Sequence, residues 1–449
     1  MLTLKSLLPE RLINWYNSNI SFVLITHGHS MKKKIFIFLF LLFISFQQVN
    51  ANTINIDDTV ALGIQNNPKI QAVMMQTGLS DADIKEAGMR FNPKLYLDAT
   101  FGENSYKGGF EQTFELGGKR VKRVAVAKAQ KEVLMQEIAT EIINLRRDIR
   151  LAYIKLFAAK ERLKNANEIC DLTKKLTDIA KKKEYAGQIA MLDVLQSEIV
   201  NLKAKSDIQT AQADVIKAFN ELNNLTGCKL DSADDLANPE IKNVISEDLL
   251  ADNDVENIIS ALSEQAFQTR PELKRLQRSL EQTQRLEKLA KSEFVPNLTI
   301  AAGPDFEIKR DERPRKTDFG AFTTITMDIP IFNHGQAGVM RAKAQRTVYE
   351  KQLNDTKNQI LLELKNCYAD FVQTEKSLKI YQTELLPKSK DVLAKSEYSF
   401  KEGKSDILMS LNAQEAYIRI KTDYINTLEN YYNSLGNLER AVGVNNENL

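Results

Sequence analysis

Cysteine, histidine and tryptophan are nearly missing from the 449 residues. There are three cysteines, three histidines and one tryptophan. Cys170, Cys228 and Cys367 stand alone with no C-x-x-C, which argues against a disulfide framework or a zinc site. Past residue 51 no stretch reaches 18 apolar residues, so the mature chain is expected to carry no membrane-spanning helix. Charge of one sign is missing too. The formal net charge is +2, and −2 once residues 1–51 are removed, which speaks against nucleic acid as a partner. No Gly-rich phosphate loop occurs, since Gly117-Gly118-Lys119 lacks the spacing. With one histidine in the mature chain, His334, no convergent catalytic site stands out. The expectation is a protein that is not an enzyme, without cofactor or bound metal.

Glycine and proline are absent from residues 119–186, and again from 188–226. In the first stretch Leu134, Ile138, Ile142, Leu145, Ile149, Ala152 and Leu156 follow in steps of three and four, one face of a helix with coiled-coil character. A continuous helix of that length is a rod of ~100 Å. Residues 336–402 and 404–442 read as the matching pair, although the shorter contains Gly436, and Pro387 predicts a kink or a junction of stacked helices in the longer. Gly187 and Gly403 mark the hairpin tips.

What is present is a duplication. Asn67-Pro68 is answered by Arg270-Pro271, and Phe91-Asn92-Pro93 by Phe294-Val295-Pro296, each 203 positions on. Gly187 and Gly227 recur as Gly403 and Gly443, 216 positions on. Self-similarity of this length fixes the architecture. The first copy is expected over 52–229 and the second over 258–445, with a linker at 230–257 and a tail at 446–449. At the front, Met31-Lys32-Lys33-Lys34, the apolar stretch 35–46 and Val49-Asn50-Ala51 read as a signal peptide cut after Ala51, with residues 1–30 a doubtful leader.

Between the short and long helical stretches of each copy the period changes to two. Leu95, Leu97, Ala99 and Phe101 alternate with Lys94, Tyr96, Asp98 and Thr100. Phe110, Phe114 and Leu116 alternate with Glu111, Thr113 and Glu115, and Ile325, Met327 and Ile329 with Thr324, Thr326 and Asp328. Strands are thus expected over about 94–116 and 297–330, and the charged segment 305–318 as a long external loop. A soluble sandwich would bury the apolar face; a membrane barrel turns it to lipid and keeps Asp98, Glu111, Glu115, Thr324, Thr326 and Asp328 toward a wet lumen. Four strands cannot close around water, so the barrel reading needs several chains.

The duplicated plan resembles the TolC family of outer-membrane efflux ducts. The residues that carry the likeness are the two X-Pro corners, Phe114-Glu115-Leu116-Gly117-Gly118-Lys119-Arg120, Pro330-Ile331-Phe332-Asn333-His334-Gly335, and the tips from Gly187 to Leu195 and from Gly403 to Leu411. The Glu-Leu-Gly-Gly-Lys-Arg run is most similar to the CzcC branch, which serves heavy-metal efflux. The resemblance implies a mainly α fold with membrane β. It implies a homotrimer with a 12-stranded barrel in the outer membrane and a helical tunnel through the periplasm. Its partners would be a periplasmic adaptor and an inner-membrane pump, often of the resistance-nodulation-division type. It implies adaptor docking at Tyr185, Gly187, Gln188, Lys401, Gly403 and Lys404. It places a constriction on the helix after the second tip, at Met409 and Asn412. Neither is acidic; Asp406 nearer the tip, and Asp193 on the matching helix, are the acidic candidates. An Asp406 that merely favours the helix dipole is the plainer alternative. A type I secretion duct would share the fold, and a periplasmic coiled-coil scaffold would explain the rods but not the strands.

Overall fold

The computed structural model describes residues 55–100, 105–228, 255–309 and 316–443. The leader, signal peptide and cut site, most of the linker, Phe101 and the tail lie outside the described residues. The first copy runs α1 (Ile56–Asn66), α2 (Pro68–Ala87), β1 (Lys94–Thr100), β2 (Ser105–Phe114), α3 (Lys119–Tyr185) and α4 (Met191–Thr226). The second runs α5 (Val255–Thr269), α6 (Pro271–Ser292), β3 (Leu298–Lys309), β4 (Lys316–Met327) and α7 (Gln336–Ile380). A π-helical turn (Tyr381–Leu385), α8 (Leu386–Lys401) and α9 (Ile407–Val442) complete it.

Each copy folds around its X-Pro corner. In the first, Asn67 caps α2 by accepting from the N–H groups of Lys69 (2.9 Å) and Ile70 (3.3 Å), while Pro68 takes the position where no helical N–H is needed. Its amide donates to the Leu225 carbonyl at 2.8 Å. The corner thereby sits on the end of α4, where Gly227 takes φ 67° and a Cβ would lie 2.6 Å from the Asn66 carbonyl. In the second copy Arg270 replaces Asn67. It reaches the Ala441 carbonyl at 3.4 Å and the carboxylates of Glu363 (2.7 Å) and Glu272 (3.1 Å). Gly443 repeats Gly227 with φ 72°. Apolar clusters accompany each corner: Ile149, Tyr153, Leu156 and Leu222 with Ile56 in one, Leu364, Phe371, Leu435 and Leu438 with Ile258 in the other. Each fully buried side chain contributes about 1.5–3 kcal/mol.

The seam expected on α3 is buried at Ile138, Leu145, Ile149, Ala152 and Leu156, whereas Leu134 is half-buried and its neighbour Val133 turns inward. At the kink or helix junction expected around Pro387 the structure has a π-helical turn between two helices. Proline there cannot donate to residue 383 and its ring crowds that carbonyl. The chain answers with a wider turn, in which the Leu386 N–H bonds to the Tyr381 carbonyl five residues back.

The four strands form one antiparallel sheet in sequence order. They differ from expectation at their outer ends. β2 begins at Ser105, β3 continues to Lys309 and β4 starts at Lys316, so much of the presumed loop 305–318 is strand. Alternation explains it: Phe306 pairs with Phe319 on one face while Asp305 and Glu307 occupy the other. Asp305 and Glu307 mark a wet face rather than an irregular segment, and residues 310–315 of the expected loop lie outside the described residues.

Candidate channel surfaces and helix tips

Register sorts the sheet into two faces. One carries the rows Leu95–Phe110–Ala302, Ile300–Ile325, Leu298–Met327 and Phe306–Phe319. On this face Leu97, Phe319 and Ile325 are 73%, 76% and 66% exposed, an arrangement that water disfavours and lipid accepts. The opposite face carries Lys94–Glu111–Ala301–Thr324, Asp98–Lys107–Asp305 and Thr113–Thr299–Thr326. Asp98, Glu111, Thr324 and Thr326 therefore share one polar face, as alternation requires. Two companions fall elsewhere. Glu115 lies past the end of β2, and its carboxylate is held by both guanidinium nitrogens of Arg123 on α3. Asp328 lies one residue past β4. Both belong to the root of the sheet, because the backbone leaves the ladder there to enter the helices.

The polar face also holds two aromatic rings that its polarity hid. Tyr96 on β1 and Phe322 on β4 meet with centroids 5.3 Å apart, although two strands lie between them. Gly109 and Gly303 lie in those strands, and a Cβ on either would fall 2.1–2.2 Å from backbone of the other strand. Glycines in the two middle strands and aromatics in the outer two were the sequence signal for this contact.

The two tips are built alike. Gly187 and Gly403 take φ 70° and 72°. The Gln188 N–H bonds to the Lys183 carbonyl and the Lys404 N–H to the Ser399 carbonyl, both at 2.9 Å, the six-to-one bond that ends a helix on glycine. Nothing lies within 4 Å of a Cβ placed on Gly187, and only the Lys183 ammonium (3.9 Å) near one on Gly403. Tyr185 is 94% exposed, and Gln188, Lys401 and Lys404 are exposed with it. The tips stand side by side over a small shared core of Leu176, Ala180, Val194, Phe400 and Ile407, with Lys183 over the Phe400 ring.

Past each tip one carboxylate closes the next helix, from opposite ends of the same turn. In the second copy Asp406 is the cap of α9 and accepts from the Met409 N–H at 3.0 Å. In the first, position 190 is alanine, and Asp193 reaches back to accept from the Ala190 N–H at 3.2 Å. Met409 thus stands where the first copy has Asp193. Met409 (58% exposed) and Asn412 face outward from α9. His334 packs edge-on to Phe294.

With this architecture in view, the family described as outer membrane efflux protein matches residues 61–228 and 262–444. The chain belongs to that family. It is 22% identical over 410 residues to the cobalt-zinc-cadmium resistance protein CzcC of Cupriavidus metallidurans, covering 89% of this chain and 92% of that protein. Its fold is similar to a membrane protein from Pseudomonas aeruginosa (TM-score 0.68, 16% identity, 86% of this chain and 90% of the other). It is also similar to the Campylobacter jejuni CmeC outer membrane channel (TM-score 0.67, 15% identity, 86% and 85%). As an outer membrane efflux protein, the chain is an outer-membrane channel with a periplasmic helical tunnel. It works as a homotrimer with a periplasmic adaptor and an inner-membrane pump.

Proposed function

We propose that three copies of the four-stranded sheet close one barrel through which heavy-metal ions leave the cell. The duct does no chemistry of its own, and an inner-membrane pump of the resistance-nodulation-division type drives export. The observation that carries the reading is the sheet itself, with lipid-compatible side chains on one face, polar ones on the other, and too few strands to enclose water alone. The likeness to CzcC supports the cargo. Asp98, Glu111, Thr324 and Thr326 line the lumen. Tyr185, Gly187, Gln188, Lys401, Gly403 and Lys404 receive the adaptor, whose backbone can approach closely where glycine leaves the turn bare. Asp193, Asp406, Met409 and Asn412 form the periplasmic constriction, each side chain appearing three times around the axis.

The experiment compares Ile325→Arg with Thr324→Arg. Arginine on the lipid face costs about 2–4 kcal/mol at mid-membrane, and three copies suffer it at once. Heat-modifiable trimers in outer-membrane fractions are expected to vanish for the first variant and persist for the second. Equal amounts of trimer from both would refute the barrel. Cargo is read in the same strains by growth on cobalt, zinc and cadmium. Loss of the gene is expected to lower tolerance; unchanged tolerance with loss of a secreted polypeptide would assign the duct to protein export.

The constriction has its own test in planar bilayers. Met409→Asp adds a ring of carboxylates, so cation preference and block by divalent ions are expected to rise. Asp406→Asn is expected to lower whatever cation preference the native channel has. Unaltered selectivity in both would move the gate to the Asp193 level of α4.

A further inference from the structure

One row crosses the middle of the sheet with aromatic rings at its ends and no side chains between them. Tyr96 on β1 pairs with Gly109 on β2, and Gly303 on β3 pairs with Phe322 on β4. The neighbouring pair Phe110–Ala302 sets Gly109 opposite Gly303. The row lies on the polar face, between that of Lys94 and Glu111 and that of Asp98, Lys107 and Asp305. Neighbouring strands run ~4.8 Å apart, so on a flat sheet the outer two backbones would be ~14 Å apart. The ring centroids are nevertheless 5.3 Å apart. The rings meet by leaning inward over the glycines, on a face that curves toward them. The ladder gives way at the same place. β2 and β3 pair from Ser105 to Lys107 and again from Phe110 to Phe114, and skip Gly108, Gly109, Gly303 and Pro304. Pro304 has no N–H to donate. A Cβ on Gly109 or Gly303 would lie 2.2 or 2.1 Å from backbone of the other strand. Glycine inside a strand marks a bend or a close approach of backbone, and an aromatic ring can cover the space it leaves.

We infer that this row is the bend that gives the sheet the curvature of its barrel. Gly109 and Gly303 let the wall fold. Tyr96 and Phe322, closing over them from the lumen side, hold the outer strands at the angle where the next copies meet them. The inference rests on the barrel reading and adds which residues position the wall. Three four-stranded pieces close into one cylinder only if each carries its share of the turn. The direction agrees, because the rings draw together on the face that carries the charges, and a barrel is concave toward its wet lumen. The sheet's second aromatic pair, Phe306–Phe319, joins neighbouring strands on the lipid face (5.2 Å) and does not span the bend. The Tyr96 hydroxyl reaches Asp98 on its own strand (3.4 Å) and takes no part in the span. The plainer role for the rings is to cover two bare glycines without setting any angle. A leucine at either end would still cover its glycine but would not reach across.

The test compares Tyr96→Leu, Phe322→Leu and the double variant with two controls. One control is Phe306→Leu with Phe319→Leu on the lipid face; the other exchanges the rings, Tyr96→Phe with Phe322→Tyr. Heat-modifiable trimers are counted in outer-membrane fractions, and single channels are recorded in planar bilayers. A clamp fails when either jaw is lost. Each single variant is therefore expected to lose at least fivefold in trimer, and the double variant no more than either single. The channels that form are expected to scatter over several conductance levels where the wild type has one. Both controls are expected to stay within twofold of wild type, at one level. Losses that multiply in the double variant, an equal loss in the lipid-face control, or one wild-type conductance in all three variants would each overturn the bend and leave the barrel intact. A loss in the exchange variant would overturn it too, by making the hydroxyl rather than the span essential. A wild-type chain that gives neither heat-modifiable trimers nor channels would overturn the barrel reading itself.

Discussion

The two copies solve the same mechanical problem with different chemistry. In the first, a neutral amide, Asn67, ties the X-Pro corner to the end of α4, and α3 runs unbroken for 67 residues. In the second, a guanidinium, Arg270, ties the corner to α9 and gathers Glu272, Glu363 and, through Glu363, Arg440; its long helix is interrupted by a π turn. Geometry survived the duplication where backbone conformation demands it, at Gly187 and Gly403 and at Gly227 and Gly443. Side-chain chemistry drifted wherever another group could close the same bond. The first half thus has an unbroken long helix and a corner tied by neutral bonds. The second has an interrupted long helix and a corner tied by charge.

Removing the corner residues sharpens this contrast most. Arg270→Ala leaves Glu272 and Glu363 with Arg440 alone to pair them and is expected to cost about 3 kcal/mol, the low end for breaking a buried pair, since both acids also keep some water. Asn67→Ala loses a cap and one hydrogen bond, about 1–2 kcal/mol. Urea titration of trimer dissociation orders the two; equal losses would erase the distinction between charged and neutral corners.

A pH series next separates the contact between the halves, Glu439 with Arg150, from the second copy's own corner, Glu272 with Arg270. Glu439 on α9 is buried, and burial pushes its carboxyl above the ordinary value against the pull of Arg150. A raised acid contributes stability below the unfolded value of about 4.3 and loses it as pH rises through the folded value. Burial works the same way on Glu272, but the hydrogen bond and charge of Arg270 outweigh it and hold that carboxyl low. Its contribution is therefore present above about 4.3 and lost as pH falls through the folded value. Glu439→Gln is expected to flatten the decline in thermal stability as pH rises above about 4.3; a decline as steep as the wild type's would acquit Glu439.

The smallest effect tests the caps. Asp406→Ala and Asp193→Ala are each expected to cost about 1 kcal/mol. Adding Met409→Asp to Asp406→Ala recreates the first copy's arrangement and is expected to recover most of the loss in a thermal melt. No recovery would mean that the two turns are not equivalent.

Much of this was legible beforehand for physical reasons. Helix length followed from the missing glycine and proline in 119–186, and sheet faces from strict alternation at Leu95–Thr100 and Thr323–Met327. What escaped notice depended on contacts between distant segments. Asp305 and Glu307 looked like loop because a wet lumen face and a loop share a composition. Tyr96 and Phe322 meet only through the register of four strands. Glu115 alternates correctly with Phe114, yet Arg123 claims it one step beyond the ladder. The cap exchange between Asp193 and Asp406 was written in the alignment of the copies but needed the hydrogen bonds to be seen.

Near the upper end of α9, Glu439 and Arg440 are consecutive, so their side chains leave the helix about 100° apart. Glu439 is bonded to Arg150 of the first half, and Arg440 to Glu363 of the second. α9 is therefore pinned like an axle by two set screws at a single level. A rotation of the helix there would break one pair or the other. Torque applied at the tips therefore meets the widened turn at Tyr381–Leu385, against which α9 packs, before it reaches these two pairs.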